Sequence, residues 1–543
     1  MDPTRKRIVI VGGGFAGVYA ARALEKKLAR LGRDAAGYEL VLVNRDNYFV
    51  FQPMLPEVIS GSIGILDTVS PLRRLLRRTT VVVREVEHIC LASRTVRTSP
   101  GVHPHPSVIP FDHLVLALGT VTDFRGLRGL PEHARPFKNL GDALALRNHV
   151  IGALEEAAVE HDDTIRRQLL TFVVAGGGFS GVEVAAELND FVRGVARSYP
   201  GVDRDEIRVV LLHSGDRILP EVAPRLARFA ERILAGRGVE VRLGARLEAA
   251  SAEAAVLAGG ERIPTRTLVS TVPSSPHPLV EALDVPKAPN GRVLVTPELE
   301  VEGCPGVWAL GDCALVPNPD GRTFAPPTAQ HATRQASTLA ANIAATIGGG
   351  PRERFAFAGL GKMGSLGHRS AVAEVFGVQV SGFLAWWMWR TIYLAKLPGW
   401  GRRLKVAASW TLDLVLAPDL VQLRAGADEG LRREHYEPGQ VVFHQGDLGD
   451  SIYVIVDGCA EVVREDHAGT GRIALLGAGE VFGEMALLGS TERNATVRCV
   501  ESMNLLRMPK RDFRLLDASL PALRKSFEKV AAAREDSPAP LSA

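Results

Sequence analysis

The chain has 543 residues, 46% of them hydrophobic and 23% charged, and a formal net charge of +3. This length predicts three to four domains, and the composition excludes a largely disordered chain. The near-neutral charge gives no global argument for a nucleic-acid partner, and we expect none.

The first residues run directly into an apolar strand at Ile8–Val11, which leaves no room for the apolar region of a signal peptide. No stretch approaches the roughly 18 uninterrupted apolar residues of a membrane-spanning helix. We therefore expect the protein to stay on the cytoplasmic side of any membrane that it contacts.

The strand at Ile8–Val11 leads into a glycine-rich loop that is followed by a helical pattern. Its glycines have G-x-G-x-x-G spacing: Gly12, Gly14 and Gly17. Such a loop permits a tight turn, a close approach to a pyrophosphate and close helix–strand packing, and the helix N-terminus attracts phosphate. The next strand should end in a carboxylate for the ribose hydroxyls, but Tyr38–Val43 ends in Asn44. Asn can still hydrogen-bond a hydroxyl, without the assistance of a charge.

The same pattern returns after the apolar run Leu170–Ala175, with glycines at Gly176, Gly178 and Gly181. Its partner strand Ile207–Leu212 ends at His213 and Ser214, again without a carboxylate. Two such loops, each between a strand and a helix, predict two dinucleotides, one a flavin and the other a nicotinamide. The alternative is a pair of glycine turns that bind nothing.

A third segment is an apolar strand, Val307–Leu310, that ends in Gly311 and Asp312. Gly311 permits a close approach, and Asp312 can accept a hydrogen bond from a ribityl hydroxyl. An ordinary turn at the end of a strand is the alternative.

Together these motifs resemble the flavoproteins with two dinucleotide-binding domains, and most closely the type II NADH:quinone dehydrogenases. Further marks of the resemblance are Asn47–Leu55, Glu183 and Pro326–Gln335. It implies FAD as the cofactor, NADH as the co-substrate and a quinone as the acceptor, without proton pumping. The five cysteines are scattered and form no C-x-x-C pair, which argues against the disulfide reductases, a disulfide framework and a metal site.

The resemblance also implies roles for single residues. Gln330 and Gln335 become candidates for the quinone pocket, although a polar helix N-terminus after two prolines would explain them as well. Glu183 becomes a candidate for proton coupling, although the helix dipole alone favours a carboxylate there. Gly119 resembles a hinge where the chain leaves the flavin domain. At the position of His213 an NADH enzyme normally presents Glu, so NADPH remains open as the co-substrate.

An aromatic-rich stretch, residues 383–397, is interrupted by Arg390 and Lys396 and is followed by two further apolar and basic segments at 401–405 and 409–416. Trp and Tyr favour the headgroup region of a bilayer, and basic residues favour anionic lipid. The pattern predicts helices that lie in the membrane surface. A buried homodimer interface is the alternative, and the two are compatible.

The last part of the chain contains short β-like runs punctuated by glycines, which predict an all-β roll. Its motifs resemble a cyclic-nucleotide-binding domain: 437–439, 445–447, 457–458, 482–488 and 493–497. The resemblance implies a site for cAMP or cGMP in which Glu484 binds the ribose, Arg493 pairs with the cyclic phosphate and the backbone after Gly483 donates N–H groups. Asn494 stands where Ser or Ala is often found. A scaffold without a ligand is the alternative.

We therefore predict an α/β chain with two interleaved Rossmann-like FAD and NAD(P) domains, a helical membrane-surface segment and a C-terminal all-β roll with flanking helices. The predicted domains are the FAD domain (1–125 and 286–350), the inserted NAD(P)H domain (126–285), the membrane or dimer helices (351–420), a linker (421–430), the cyclic-nucleotide domain (431–533) and a disordered tail (534–543). Too few residues follow the roll for a helix-turn-helix.

The predicted function is a peripheral, FAD-dependent NAD(P)H:quinone oxidoreductase at the cytoplasmic face of the inner membrane, forming a homodimer. Two other functions remain open. One is a soluble NAD(P)H-dependent flavin reductase with a different acceptor, and the other is a low-turnover sensor of flavin redox state and cyclic nucleotide.

Overall fold

The computed structural model describes residues 5–100, 107–124, 126–271, 275–413, 416, 419–423, 432–447, 451–466, 469–483 and 493–509. The predicted closing helix of the roll, the tail at 534–543 and most of the linker at 421–430 lie outside these residues.

The first part of the chain contributes four strands to a five-stranded parallel sheet. Apolar runs such as Ile8–Val11 and Leu40–Val43 are buried along their whole length, as strands covered on both faces require. The elements of this part are β1 (Lys6–Val11), α1 (Phe15–Leu31), β2 (Tyr38–Asn44), β3 (Tyr48–Val50), α2 (Pro56–Ser60), β4 (Val69–Pro71), α3 (Leu72–Leu75), β5 (Thr80–Val83), β6 (Val86–Cys90), β7 (Thr95–Thr98), β8 (Ser107–Pro110), β9 (His113–Leu116) and β10 (Thr120–Val121).

The next part builds a second parallel sheet. Its strand order is β11-β18-β12-β13-β14, and an antiparallel meander of β15, β16 and β17 accompanies it. The elements are α4 (Leu130–His133), β11 (Ala134–Pro136), α5 (Leu140–Val159), α6 (Asp163–Leu169), β12 (Thr171–Ala175), α7 (Phe179–Val195), β13 (Arg208–Leu212), α8 (Pro224–Gly236), β14 (Val239–Arg242), β15 (Leu247–Ala250), β16 (Ala254–Leu257), β17 (Arg262–Pro264), β18 (Thr267–Ser270), β19 (Ser275–Pro276) and α9 (Pro278–Glu281).

The chain then returns to the first sheet. It adds β20 (Val293–Leu294), β21 (Val307–Ala309), β22 (Ala314–Leu315) and the long helix α10 (Ala329–Gly348). Strand β21 completes the first sheet in the order β21-β9-β1-β2-β5, so the second sheet is made by the segment between β9 and β21. The predicted α/β fold with Rossmann-like units is confirmed.

The segment predicted as membrane or dimer helices begins with a small antiparallel sheet. Strands β23 (Gly361–Ser365), β24 (Ala371–Val375) and β25 (Val378–Gly382) precede helices α11 (Phe383–Lys396) and α12 (Trp400–Leu412). The sequence analysis did not predict these strands. They are joined by short turns that contain Gly367 and Gly377, both with positive φ, and the runs are too short to show a clear alternation.

The C-terminal part is an antiparallel roll with its own apolar core. Its strands are β26 (Arg432–Tyr436), β27 (Val441–Phe443), β28 (Ser451–Asp466), β29 (Gly469–Leu476), β30 (Val481–Phe482) and β31 (Thr496–Pro509). The predicted β-rich region is confirmed, but four of the predicted short runs merge into β28 and β31. Register shifts near Asp457 and Cys459 let these long strands bend without ending.

Candidate functional site

The first glycine loop joins β1 to α1 and leaves open space in front of the helix N-terminus. A Cβ atom on Gly17 would overlap the carbonyl oxygen of Gly12, and one on Gly12 would overlap the carbonyl oxygen of Ala117. Gly12 also has a φ of +107°, which favours glycine. A Cβ on Gly14, in contrast, would meet nothing within 4 Å. This combination of close packing behind the loop and open space in front of it fits a pyrophosphate at the start of α1.

Asn44, at the end of β2, supports this loop. Its Oδ1 accepts a hydrogen bond of 2.8 Å from the backbone N–H of Gly13, and its Nδ2 donates one of 2.8 Å to the carbonyl of Asp46. A carboxylate could accept the first bond but could not donate the second. Asn44 therefore positions the glycine loop from the site where a ribose-binding carboxylate was expected.

The Gly311–Asp312 turn packs directly against α1. A Cβ on Gly311 would lie 2.9 Å from the Cβ of Ala16, and Gly311 has a φ of +73°. Burial raises the pKa of the Asp312 carboxyl, and the positive charges of Lys138 and Arg292 oppose that shift. A carboxylate next to two cations and behind the first glycine loop suits a hydroxyl-rich ligand chain.

Lys138 is a residue of this site that the sequence analysis missed. Its ammonium donates a hydrogen bond of 2.5 Å to the Thr120 hydroxyl, next to Gly119, whose φ is +64°. Burial lowers the pKa of Lys138 to about 8, opposed by the charges of Asp312 and Asp142. One sequence feature marks the position of Lys138. The Asn-x-x-Asp capping box at Asn139 starts α5, and it fixes the backbone immediately after Lys138.

The second glycine loop opens onto a cleft of about 2220 Å³. Gly176 has a φ of +121°, and a Cβ on Gly181 would overlap the Gly176 carbonyl oxygen, so this loop repeats the geometry of the first. The cleft is lined by segments of the second sheet, of the chain between β22 and α10, and of the region that leads into β23: 176–180, 212–214, 245–248, 318–320, 326–328, 330–331 and 356–362. Its size and its glycine loop suit a second dinucleotide.

His213, at the end of β13, supports the second glycine loop in the same way that Asn44 supports the first. Its Nδ1 accepts a hydrogen bond of 3.3 Å from the N–H of Gly177, and a Cβ on Gly177 would lie 2.6 Å from its Cγ. His213 and Ser214 both line the cleft, and so does Arg246. The end of β13 therefore presents hydrogen-bonding groups and no carboxylate, while the neighbouring wall carries both the Arg246 cation and the Glu248 carboxylate.

The two glutamines assigned to a quinone pocket occupy different surroundings on α10. Gln330 lines the cleft, where its Nε2 donates to the Gly361 carbonyl at 3.1 Å and its Oε1 accepts from the Leu360 N–H at 3.0 Å. Gln335 is buried, and its Oε1 accepts from the Gly311 N–H at 2.8 Å. Gln335 thus holds the Gly311–Asp312 turn, whereas Gln330 connects the cleft wall to β23.

Glu183 lies one turn into α7, beyond the second glycine loop. Its Oε1 accepts a hydrogen bond of 3.0 Å from the N–H of Ser365 on β23. Burial raises the pKa of Glu183 to about 8, against the lowering effect of this hydrogen bond. The carboxyl is therefore largely protonated at neutral pH, which lets it act as a proton donor.

In the roll, Arg493 points into the core. Its Nη1 donates to the Gly483 carbonyl and its Nη2 to the Ser451 carbonyl, both at 2.8 Å, and its guanidinium lies 4.1 Å from the ring centre of Phe443. Asn494 is exposed beside it. Glu484, the predicted ribose ligand, lies outside the described residues. The Arg493 guanidinium and the Gly483 backbone are adjacent, as the binding of a cyclic phosphate would require.

Helices α11 and α12 each have a buried and an exposed face. Trp386, Trp389 and Trp410 pack inward, whereas several large apolar side chains face outward: Phe383, Leu384, Trp387, Trp400, Leu404 and Leu412. Within the described residues, no helix combines the length and the apolar character needed to cross a bilayer. The exposed apolar surface is of the kind that marks a lipid or protein contact.

Family models match three successive parts of the chain. The model for pyridine nucleotide-disulphide oxidoreductases matches residues 6–336, the NDH2 C-terminal domain matches residues 360–416, and the cyclic nucleotide-binding domain matches residues 433–518.

The chain is similar in sequence to oxidoreductases. The type II NADH:quinone oxidoreductase Ndh of Mycobacterium tuberculosis is 31% identical over 428 residues, which cover 76% of this chain and 89% of that protein. The internal alternative NAD(P)H-ubiquinone oxidoreductase A1 of Arabidopsis thaliana mitochondria is 28% identical, with 78% of this chain and 88% of that protein covered. The solved structure of NDH2 from Plasmodium falciparum in complex with NADH has a similar fold, with a TM-score of 0.70 and 17% identity over 77% of this chain and all of that one.

Proposed function

Because the chain belongs to the pyridine nucleotide-disulphide oxidoreductase family and, within it, to the type II NADH:quinone oxidoreductases, we propose that it oxidises NADH through FAD and passes the electrons to a quinone. The reaction pumps no protons. The observation that carries this proposal is the 2220 Å³ cleft, which extends from the second glycine loop to Gln330 at the start of α10. The same helix holds the Gly311–Asp312 turn through Gln335, so it connects the two dinucleotide sites.

FAD, when bound, supplies the hydride acceptor and the route for electrons to the quinone. The protein's part is binding and orientation. The loop with Gly12, Gly14 and Gly17 holds the pyrophosphate, and Asn44 fixes the loop. Asp312 would accept hydrogen bonds from the ribityl hydroxyls of FAD, and the positive charge of Lys138 acts on Asp312. The loop with Gly176, Gly178 and Gly181 holds the nicotinamide dinucleotide.

The surroundings of His213 support the use of NADPH beside NADH. A carboxylate at the end of β13 would discriminate against the 2′-phosphate by charge repulsion, and His213 and Ser214 provide none. Arg246, on the same cleft wall, adds a guanidinium that can pair with that phosphate.

The outward face of α11 and α12 supports attachment at the membrane surface, where a long-tailed quinone resides. Trp387 and Trp400 are 56% and 72% exposed, and the same helices carry basic residues: Lys396, Arg403 and Lys405. Aromatic rings at headgroup level and cations near anionic lipid favour this arrangement. A homodimer that buries part of the same face is the second role we propose for it.

The cyclic-nucleotide domain acts on the nicotinamide end of the enzyme. The His133 ring and the His435 carbonyl oxygen are 2.7 Å apart, and Arg128 forms an ion pair of 3.3 Å with Glu437 of the roll. The Arg128 carbonyl accepts a hydrogen bond from the N–H of Ala250, at the end of β15, the strand that contributes Leu247 and Glu248 to the wall of the cleft. From these contacts we propose that binding of cAMP or cGMP in the roll changes the affinity for the nicotinamide substrate.

The experiment is steady-state oxidation of NADH and NADPH by the FAD-loaded protein in liposomes, with and without a ubiquinone or menaquinone analogue. We expect turnover that depends on quinone and on vesicle binding. Turnover that needs neither would support the soluble flavin reductase instead. Negligible turnover despite a reducible flavin would support the sensor. Adding cAMP or cGMP tests whether the roll regulates the enzyme. Unchanged KM and kcat values would contradict this regulation.

A further inference from the structure

Three carboxyl groups that have no role in dinucleotide binding lie together under α11 and α12. Glu183 and Glu187 are four residues apart on α7, so they lie on one face of that helix. Glu57 comes from α2, a helix that packs against α7. Glu57 and Glu187 are 4% and 7% exposed. Buried carboxyls are costly unless they are neutral or paired, so their presence calls for a physical explanation.

Arg390 is the cation that lies next to these carboxyl groups. Nη2 of Arg390 lies 3.7 Å from Oε1 of Glu57 and 3.9 Å from Oδ2 of Asp413. The indole N–H of Trp410 donates to Oε2 of Glu57 at 3.0 Å, and the Arg390 guanidinium lies between the rings of Trp386 and Trp410. Arg390 and Trp410 thus compensate the charge of Glu57. Glu187 and Glu183 have no such ion pair among the described residues.

A second cleft leads from the surface to Glu187. Its volume is about 520 Å³, and none of its lining residues lines the nicotinamide cleft. Its lining includes the exposed residues His368 and Leu416 as well as Ser60, Glu187 and Arg390. Water therefore reaches Glu187 by a route that a bound nicotinamide nucleotide leaves open.

The reaction needs such a route. If the proposed function holds, the overall reaction is NADH + H⁺ + quinone → NAD⁺ + quinol. In this reaction NADH supplies a hydride, that is, two electrons and one proton. The second proton of the quinol must come from water. The nucleotide would fill the nicotinamide cleft during the first step, so the proton would need a separate route.

We propose that Glu187 is a proton-relay residue, which takes protons from the 520 Å³ cleft and passes them along α7 to Glu183 for delivery to the quinone. Glu187 touches neither dinucleotide loop, so it acts through Glu183. Arg390 only partly opposes the effect of burial, which raises the pKa of the neighbouring Glu57 to about 7, so Glu57 exchanges protons in the same pH range as Glu187.

The electrostatics of the cluster support transfer at neutral pH. Burial raises the pKa of Glu187, and the negative charges of Glu57 and Asp190 raise it further, while the Ser60 hydrogen bond and Arg390 lower it. Burial also raises the pKa of Glu183. Two neighbouring carboxyls with similarly raised pKa values exchange a proton at little cost in free energy. The other charged groups that line the cleft are Arg193, Arg204, Arg237, His368 and Asp413.

The test compares Glu187→Gln with the wild type as full-length, FAD-loaded protein in liposomes. The variant should lower kcat with a quinone analogue by about tenfold or more, while flavin bleaching by NADH without quinone, followed by stopped-flow absorbance, stays within about twofold. Acetate, a small weak acid that fits the cleft, should restore part of the lost kcat. The control is Glu156→Gln, which removes an exposed carboxylate on α5 and should change nothing.

Each result of this comparison either supports or overturns the role of Glu187 as a proton relay. A variant with wild-type kcat and an unchanged pH profile would overturn the relay, and so would slower flavin bleaching or a loss that acetate fails to rescue. A wild-type protein without quinone turnover would instead refute the proposed function. If Glu187→Gln does not bind FAD, Asp190→Asn is measured. It removes a charge that raises the Glu187 pKa, so the alkaline fall in kcat should move to lower pH, and an unmoved profile would overturn the relay.

Discussion

The side-chain oxygen of Gln335 accepts a hydrogen bond of 2.8 Å from the backbone N–H of Gly311, and both residues are buried. Helix α10 is thereby fixed to the turn that carries Asp312. The N-terminal turn of the same helix lines the nicotinamide cleft through Gln330. Helix α10 therefore connects the Gly311–Asp312 turn to the wall of the nicotinamide cleft.

The first prediction concerns this bond. Gln335→Leu leaves the Gly311 N–H buried without an acceptor, which should cost about 1–3 kcal/mol of stability. We expect a lower melting temperature and weaker FAD retention, measured by thermal unfolding and by flavin fluorescence after dilution. Gln335→Glu keeps an acceptor oxygen and is the matched control. Equal FAD retention in the Leu variant and the wild type would contradict the assigned role.

The second prediction separates the roles of two glycines in the first loop. A methyl group at Gly17 would overlap a backbone oxygen, so Gly17→Ala should unfold or lose FAD outright. A methyl group at Gly14 meets no protein atom, so Gly14→Ala should leave the melting temperature of the apoprotein unchanged. Its FAD affinity should nevertheless fall by at least about tenfold, because the pyrophosphate needs that space. Normal FAD affinity in Gly14→Ala would show that no phosphate lies there.

The third prediction concerns the choice of nicotinamide. His213→Glu introduces a carboxylate where the adenosine ribose would lie, so repulsion of a 2′-phosphate should lower kcat/KM for NADPH by at least about tenfold relative to NADH. His213→Gln keeps an uncharged acceptor for the Gly177 N–H and should leave the ratio nearly unchanged. The measurement is the ratio of the two kcat/KM values in all three proteins, and an unchanged ratio in the Glu variant would place the ribose elsewhere.

The fourth prediction concerns the pH dependence of stability. The folded-state pKa of Glu183 is about 8, above its ordinary value of 4.5, so the folded protein binds more protons than the unfolded chain between these values. This contribution to stability is complete below pH 4.5 and is lost as the pH rises through 8. The slope for this one group is about 1.4 kcal/mol per pH unit. Glu183→Gln should reduce the slope of the unfolding free energy against pH between 5 and 8 by about 1.4 kcal/mol per pH unit, measured by urea titration. The raised pKa values of Glu187 and Glu57 should maintain the remaining slope. An unchanged slope would contradict the assigned protonation state.

The sequence predicted the parts of the site that depend on local spacing. Gly12–Gly17 and Gly176–Gly181 require only a strand, a turn and a helix in succession, so their spacing determines their geometry. The contact between Glu57 and Arg390 could not be predicted, because the two residues are far apart in the sequence and only tertiary packing brings them together. Lys138 escaped for the same reason, since its neighbours Thr120 and Asp312 come from different parts of the chain.

Strands β23–β25 were missed for a different reason. Their five-residue runs contain glycine, lysine and serine beside apolar residues, so neither alternation nor a continuous apolar run stands out. In the roll, the predicted breaks inside β28 and β31 are bends at which pairing continues. Glycine and polar residues indicate that a strand changes direction, but the partner strand decides whether it ends.

The insertion of the second sheet between β9 and β21 determines the order in which the protein can form during synthesis. All strands of the second sheet lie within residues 134–270, so this sheet can close while the C-terminal half is still being translated. The first sheet lacks one strand until residue 309 has been made, and the turn with Asp312 follows only then. The site at the first glycine loop is therefore completed after the second sheet, although the loop is made first. A nascent chain that stops before β21 presents an unpaired edge at β9 to chaperones and to other chains.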